Sequence, residues 1–191
     1  MSPQQHESIA NVYGLLGQLW LQEVDETLLQ TLCETSLGES LGISNDNDSI
    51  DQLAVDYCAL FVGPKNHLPP YQSVWQTGQL QSETSASVRA FDDALTGGAI
   101  IGQDAMADHL GWQLRFMSQL YQQLSCADDV ATTEALAQMG NAFFGQHLMW
   151  PKQLLVRARA QAQTQFFRSM IGLTGDLLSS EQDFWIGASP A

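Results

Sequence analysis

The chain has 191 residues, of which 45% are hydrophobic, so it can bury a core and does not have the composition of a disordered protein. Its 21 acidic and 7 basic residues give a formal net charge of −14, which argues against binding to nucleic acid or to an anionic membrane surface. No apolar run approaches the roughly 20 residues that span a bilayer, so we expect no stable membrane insertion.

Apolar residues at steps of three and four predict helices along almost the whole chain. The polar segment 42–49 is predicted to be a loop, and Asp48 or Ser49 can cap the helix that follows it. The predicted helices cover about 7–21, Asp25 to Cys33, a run through Leu53 to Phe61 that Gly63–Pro64 stops, 82–95, 104–124, 130–148, and a last stretch that Pro151 opens and that breaks near Thr164. We therefore expect an all-α fold, a single globular bundle of about eight to ten helices that forms one domain over residues 1–191.

Two segments interrupt this helical pattern. Residues 62–75 form a Pro-rich loop that also carries large apolar side chains, and residues 97–102 are glycine-rich and predicted to be a flexible connection. The prolines make Leu68-Pro69-Pro70 extended and stiff. Such a loop can be one wall of a peptide-binding groove, or a connector that packs its aromatic side chains into the bundle, and the spacing alone leaves both interpretations open.

The chain lacks the common enzyme signatures, including the phosphate-binding loop, the dinucleotide fingerprint, the zinc-protease helix and the nucleophile elbow. Two His-containing segments remain, with Asp108 and His109 at the start of a predicted long helix and His147 three residues before Trp150. No third ligand at metal-binding spacing and no nucleophile accompany them, so we assign no metal and no catalytic residue. The simpler interpretation is that each His anchors a loop or a helix end by a hydrogen bond.

Aromatic residues at helical spacing, such as Tyr13, Trp20, Phe116 and Phe143, are predicted to lie in the core. The N-terminus has no positively charged region before its apolar residues, so we expect no secretory signal peptide and a cytoplasmic location. The three cysteines are far apart and do not form a C-x-x-C pair, which is typical of reduced thiols.

Three ordered motifs carry a resemblance. The first motif is a helix that ends in Tyr-x-x-Leu-Phe, followed by Gly-Pro and by a Pro-Pro-aromatic-x-Ser-Val-aromatic loop. The second motif is an Asp-His-Leu pattern. The third is a His-Leu segment that ends in Trp. The residues that supply them are Tyr57, Leu60, Phe61, Gly63, Pro64, Pro69, Pro70, Tyr71, Ser73, Val74 and Trp75, then Asp108, His109 and Leu110, and then His147, Leu148 and Trp150. Together these motifs resemble the TorD/DmsD family of chaperones for molybdenum-containing redox enzymes.

The sequence departs from the family pattern at three positions. Tyr71 stands where the family often has Trp, Met106 where it often has Pro, and Gln113 where an acidic residue is common. These departures concern the client and the shape of the pocket, and they leave the expected fold unchanged.

The resemblance implies a cytoplasmic chaperone that binds the twin-arginine signal peptide and the apo-form of a molybdoenzyme catalytic subunit, a reductase of the DMSO or TMAO type. Such a chaperone assists cofactor insertion and prevents premature export. The net charge of −14 suits a basic peptide, and an apolar groove suits its hydrophobic region. The peptide-binding residues implied are Tyr71, Ser73, Val74, Trp75, Asp108, His109, Trp112, His147 and Trp150. Among these, Asp108 is the carboxylate expected near the arginines.

Alternative functions stay open. The chain can be a helical adaptor for another apolar peptide or protein, without a twin-arginine client, or a small enzyme or nucleotide-binding protein. No cofactor is expected, although the resemblance implies weak guanine-nucleotide binding. The family also resembles proteins that form homodimers by segment exchange, for which residues 97–102 can be the hinge.

Overall fold

The computed structural model describes residues 1–33, 38 and 49–187. These residues contain nine α-helices, a π-helical turn and no strand, and they confirm the all-α class and the expected number of helices. The helices are α1 Pro3–Leu21, α2 Glu26–Cys33, α3 Ile50–Tyr57, the π-helical turn Cys58–Val62, α4 Gln72–Thr77, α5 Ser82–Thr96, α6 Leu110–Cys126, α7 Val130–His147, α8 Lys152–Gln161 and α9 Gln165–Trp185. The predicted loop 42–49 lies outside the described residues except for Ser49.

Polar side chains at the predicted positions begin two of these helices. Asp25 Oδ1 accepts a hydrogen bond of 2.7 Å from the backbone N–H of Leu28 at the start of α2. Ser49 and Gln52 form a reciprocal capping box at the start of α3, in which each side chain accepts from the other residue's backbone N–H. Both caps use N–H groups that a helix leaves without an internal partner.

Contacts group the chain into two compact units. Unit I comprises Met1–Leu21, Tyr71–Pro151 and the chain from Leu178, and unit II comprises the described residues of Gln22–Pro70 and Lys152–Leu177. The boundary between Pro70 and Tyr71 divides the Pro-rich segment, and its last residues begin α4, so the irregular loop is shorter than predicted. That the whole chain acts as one domain stays a prediction.

Unit I is organised around the long helices α1 and α6, whose pairing is the most extensive among the described helices. Their backbones approach closely at Gly17 and Gly111, where there is no room for a side chain. A Cβ on Gly17 would lie 2.9 Å from the Gly111 carbonyl oxygen. Ser118 adds a hydrogen bond of 2.8 Å from its hydroxyl to the carbonyl of Ala10. The aromatic residues predicted for the core are fully buried here, which confirms that prediction: Tyr13, Trp20, Phe116 and Phe143.

Unit II has its own aromatic cluster and one buried carboxylate. Tyr57 and Phe61 lie at the end of the α3 segment, and both pack against Phe167 of α9, with ring centroids 6.1 and 6.2 Å away. Asp56 accepts hydrogen bonds from the backbone N–H groups of Gln163 and Thr164, which fixes the predicted helix break before α9. Phe61, which directly precedes the Pro-rich segment, is therefore packed into a core.

The start of α6 differs from the prediction. The expected helix over 104–124 begins only at Leu110, and the residues before it form turns. The Arg89 guanidinium donates to the carbonyls of Gly102 and Gln103 at 2.9 Å and also to that of Ala105. Arg89 of α5 thus binds carbonyls that a helix would use internally, so the residues before Leu110 form turns and the helical pattern misplaces the boundary by about a turn and a half.

The glycine-rich segment 97–102 is fixed by α5. Gly97 and Gly98 adopt left-handed backbone conformations, with φ of 71° and 82°, that end the helix. The Asp92 carboxylate then accepts from the backbone N–H groups of Ile100 and Ile101 at 3.3 and 3.0 Å. These hydrogen bonds hold both ends of the segment within unit I, and the use of the segment as an exchange hinge stays a prediction.

Candidate functional site

The candidate site lies in unit I, where the chain before α4 runs beside the chain before α6. Tyr71 and His109 form an isolated antiparallel bridge, and their rings meet edge-on with centroids 4.9 Å apart. The backbone N–H of Gln72 donates to the carbonyl of Asp108 at 3.0 Å. The Pro-Pro-aromatic motif and the Asp-His-Leu motif, whose first residues are 39 positions apart in the sequence, are thus joined in space.

Asp108 is the carboxylate of this junction and is fully buried. Its Oδ2 accepts from the backbone N–H of Ser73 at 3.1 Å and from the Ser73 hydroxyl at 2.7 Å. Its Oδ1 is also buried and has no hydrogen-bond donor among the described residues. Half of the accepting capacity of this carboxylate is therefore unused in a place where buried polar atoms are nearly always bonded.

His109 caps α6. Its Nδ1 accepts from the backbone N–H of Gly111 at 3.0 Å, which fixes the neutral ring with its proton on Nε2. Burial lowers the pKa of His109 from 6.5 to about 4. The predicted role of a His that anchors a helix end is therefore confirmed here, whereas Asp108 precedes the cap and does not lie in the first turn of the helix as predicted.

His147 belongs to a buried hydrogen-bond network at the end of α7. Its Nδ1 lies 2.9 Å from Gln72 Oε1, which can only accept, so Nδ1 carries the proton. Its Nε2 lies 3.0 Å from the Ser87 hydroxyl, which then donates. Burial lowers the pKa of His147 to about 4, although the Asp108 charge opposes this shift. The ring is therefore neutral at pH 7 and bonded at both nitrogens.

Gln113 connects this network to Trp150. Its Nε2 donates to Gln72 Oε1 at 2.7 Å, and its Oε1 accepts from Trp150 Nε1 at 2.9 Å. Gln72 in turn donates from Nε2 to the Gln146 carbonyl at 2.8 Å. The amide at position 113, where the family often has an acid, can donate on one side and accept on the other, and a carboxylate could only accept.

The structure brings together six of the nine predicted peptide-binding residues. Tyr71, Ser73, Asp108 and His109 form the junction, and His147 and Trp150 join it through Gln72 and Gln113. Val74, Trp75 and Trp112 are half-buried on α4 and α6, with the Arg115 guanidinium 5.5 Å from the Trp112 ring. Whether these residues contact a peptide stays a prediction.

Sequence reasoning missed three members of the network, namely Gln72, Ser87 and Gln113 as bonding partners. Gln72 lies inside the Pro-Pro-aromatic-x-Ser motif at the position that the motif leaves open, so its place beside Ser73 was a usable signal. No pattern marked Ser87, because a single polar residue on a helix is typical of a solvent-exposed face.

Within the described ranges, no group of three or more His, Cys, Asp or Glu side chains is placed to hold a metal ion. A search of the same residues finds no helix that is both long and apolar enough to cross a membrane.

Comparison with known proteins relates this geometry to a family. Residues 20–155 match the family described as nitrate reductase delta subunit, and this range includes α4, α5, α6 and α7 with the whole hydrogen-bond network. The chain belongs to this family. Its members are redox enzyme maturation chaperones of the TorD/DmsD type, which confirms the resemblance seen in the motifs.

A curated relative supports the same assignment. The chain is 34% identical over 173 residues to the chaperone protein YcdY of Escherichia coli (strain K12), across 89% of this chain and 78% of that protein. No solved structure matches the chain. As a member of the nitrate reductase delta subunit family, the protein is a redox enzyme maturation chaperone and not an enzyme.

Proposed function

We propose that this chaperone binds the twin-arginine signal peptide of a molybdenum-cofactor-containing reductase in the cytoplasm, assists cofactor insertion and prevents premature export. The observation that carries the proposal is Asp108 Oδ1, a buried carboxylate oxygen without a donor among the described residues, while Oδ2 of the same group is bonded to Ser73. An arginine guanidinium is the group that best supplies charged, directional donors to a carboxylate.

The surroundings of Asp108 suit such a ligand. His109 and His147 have pKa values lowered to about 4, so neither places a competing positive charge beside the carboxylate at pH 7. Tyr71 lies at the same junction and is half-buried, so it offers an aromatic surface next to the acid. The net charge of −14 attracts a basic peptide before contact.

Because Asp108 has no exposed surface, an arginine reaches Oδ1 only when covering side chains move aside. We therefore expect association to be slower than for a preformed surface site. Ser73 continues to hold Oδ2 through two hydrogen bonds, so the carboxylate keeps its position while Oδ1 accepts the guanidinium.

The test is calorimetric titration with a synthetic leader peptide and with a matched peptide in which both arginines are lysines. We expect the arginine peptide to bind at least about tenfold more tightly, because a lysine ammonium cannot present the planar fork of donors. Binding is also expected to weaken as salt rises, since the charges are screened.

Two results would contradict the proposal in different ways. Equal affinity for the arginine and lysine peptides would mean that the site recognises positive charge and not the guanidinium group. Equal affinity for an apolar peptide without either basic residue would instead favour a helical adaptor that reads hydrophobic segments alone.

A further inference from the structure

The basic residues of this acidic chain are concentrated in one stretch. Residues 135–175 contain Lys152, Arg157, Arg159 and Arg168 and not one Asp or Glu, whereas all 21 acidic residues lie elsewhere. A twin-arginine peptide is basic and gains nothing from this stretch. The proposed function therefore leaves the basic stretch unexplained.

Helix α8 in unit II exposes the middle of this stretch. Lys152, Val156, Arg159 and Ala160 follow each other at helical steps of four, three and one, so they share one face of the helix, and all four are exposed. Val156 lies between the two cations and is 66% exposed, which is high for an apolar side chain. We call these four residues the basic face.

The N-terminal end of α7 in unit I has the opposite charge and a similar form. Val130 is 73% exposed, and Asp128, Asp129 and Glu134 around it are exposed too. Asp129 caps the helix, and hydrogen bonds from the Thr132 N–H and hydroxyl lower its pKa, so it is charged at neutral pH. We call Asp128, Asp129, Val130 and Glu134 the acidic end.

We propose that the acidic end of one copy docks on the basic face of a second copy. Each surface consists of an exposed valine flanked by charges, and the charges have opposite sign on the two surfaces. The basic face is roughly 12 Å long and the acidic end roughly 9 Å at about 1.5 Å per residue, so the acidic end fits within the length of the basic face. The two helices belong to different units of the chain, so each copy offers both surfaces.

The contact is small, and its expected strength follows from that. Two faces of this length bury well under the ~1,200 Å² of a stable interface, so the association is weak and transient. The contact also differs from segment exchange, because no part of either chain leaves its own unit. The contact therefore forms and breaks quickly, and it is lost on dilution.

Salt is a poor test because it screens both the local attraction and the repulsion between two chains of net charge −14. Charge reversal separates the two effects. Lys152→Glu with Arg159→Glu makes the chain more acidic by four charges, whereas Asp128→Lys with Glu134→Lys makes it less acidic by four. If only net charge mattered, the first pair would weaken self-association and the second would strengthen it.

The experiment is sedimentation equilibrium of the full chain from about 10 µM to about 1 mM. We expect the average mass of the wild type to rise with concentration, each double variant alone to associate at least about tenfold more weakly, and an equimolar mixture of the two variants to regain association. The mixture offers two complementary contacts: the glutamates on α8 of the first variant with the lysines on α7 of the second, and the unchanged acidic end of the first with the unchanged basic face of the second.

Matched controls fix the interpretation. Glu83→Lys with Asp104→Lys changes the net charge by the same four units at exposed acids outside both surfaces. Lys65→Glu reverses an exposed base outside the basic face. Both controls change only the general repulsion between chains, so neither should weaken the association by about tenfold. A wild type that stays monomeric throughout the range, variants that both associate normally, or a mixture that regains nothing would each overturn the proposal. So would a dimer that survives dilution, which is the behaviour of exchanged segments.

Discussion

Asp56 in unit II and Asp108 in unit I are two buried carboxylates that accept hydrogen bonds from similar donors. They differ in how many of their oxygens accept a hydrogen bond. Each accepts from a backbone N–H and from the hydroxyl of the same residue, which is Thr164 for Asp56 and Ser73 for Asp108. At Asp56 both oxygens are used, because Oδ1 and Oδ2 each also accept from the N–H of Gln163, at 3.1 and 3.0 Å. At Asp108 only Oδ2 is used.

The difference separates a structural acid from a candidate ligand-binding acid. A buried acceptor that lacks its donor costs about 1–3 kcal/mol, so a site with only a structural role gains by completing its bonds. Asp92 supports this reading, because both of its oxygens also accept hydrogen bonds. Asp108 keeps one oxygen without a donor among the described residues, which is why we propose it as the acid that binds the peptide.

The largest expected effect is on stability, from Asp56→Ala. The substitution leaves the start of α9 without its acceptor and the Thr164 hydroxyl without its partner, so the free energy of unfolding should fall by about 3 kcal/mol. Urea denaturation followed by circular dichroism measures this change. Peptide affinity, measured by calorimetry under conditions where the variant is folded, should match the wild type. If the folded variant lost affinity, Asp56 would also contribute to peptide binding and would not be a purely structural acid.

The next effect is on binding, from Asp108→Asn. The asparagine oxygen can keep both bonds from Ser73, and its NH₂ takes the place of Oδ1, where no donor stood. The free energy of unfolding should therefore change by less than about 1 kcal/mol, whereas affinity for the arginine peptide should fall about tenfold.

Asp56→Asn is the matched control for this substitution. At Asp56 both oxygens accept, so the amide places an NH₂ against a backbone N–H and lowers stability, with no effect on peptide affinity. A similar fall in affinity in both variants would mean that the effect is indirect, and wild-type affinity in Asp108→Asn would remove Asp108 from the site.

Sequence reasoning reached the fold because local signals and burial agree along most of the chain. Ser49 and Asp25 are good caps, the glycine pair at 97–98 ends a helix, and the aromatic stripe of α1 and α6 is core. The start of α6 was misplaced because the Arg89 side chain, a long-range partner, satisfies the carbonyls that a helix would otherwise bond.

The candidate site was only partly predictable for a similar reason. The motifs named Ser73, Asp108 and His147, but no spacing rule says that Gln72 and Gln113 join them, since these contacts span 41 and 75 residues. Nor does a sequence show that one oxygen of Asp108 lacks a donor. That fact depends on the position of every neighbouring donor in the folded chain.

The last prediction tests whether the histidines beside Asp108 make the fold sensitive to acid. Burial holds the pKa of His109 and His147 at about 4 in the folded chain, against 6.5 in an exposed ring. The unfolded chain therefore binds more protons at any pH between these values, so the free energy of unfolding should fall as the pH decreases from about 6.5 toward about 4. In His147→Asn the amide NH₂ can still donate to Gln72 Oε1 but takes up no proton, so urea denaturation at several pH values should give a shallower fall than in the wild type. If the free energy of unfolding fell as steeply with pH in the variant, burial would not hold His147 neutral. Only His109 would then support the neutral surroundings that we assign to Asp108.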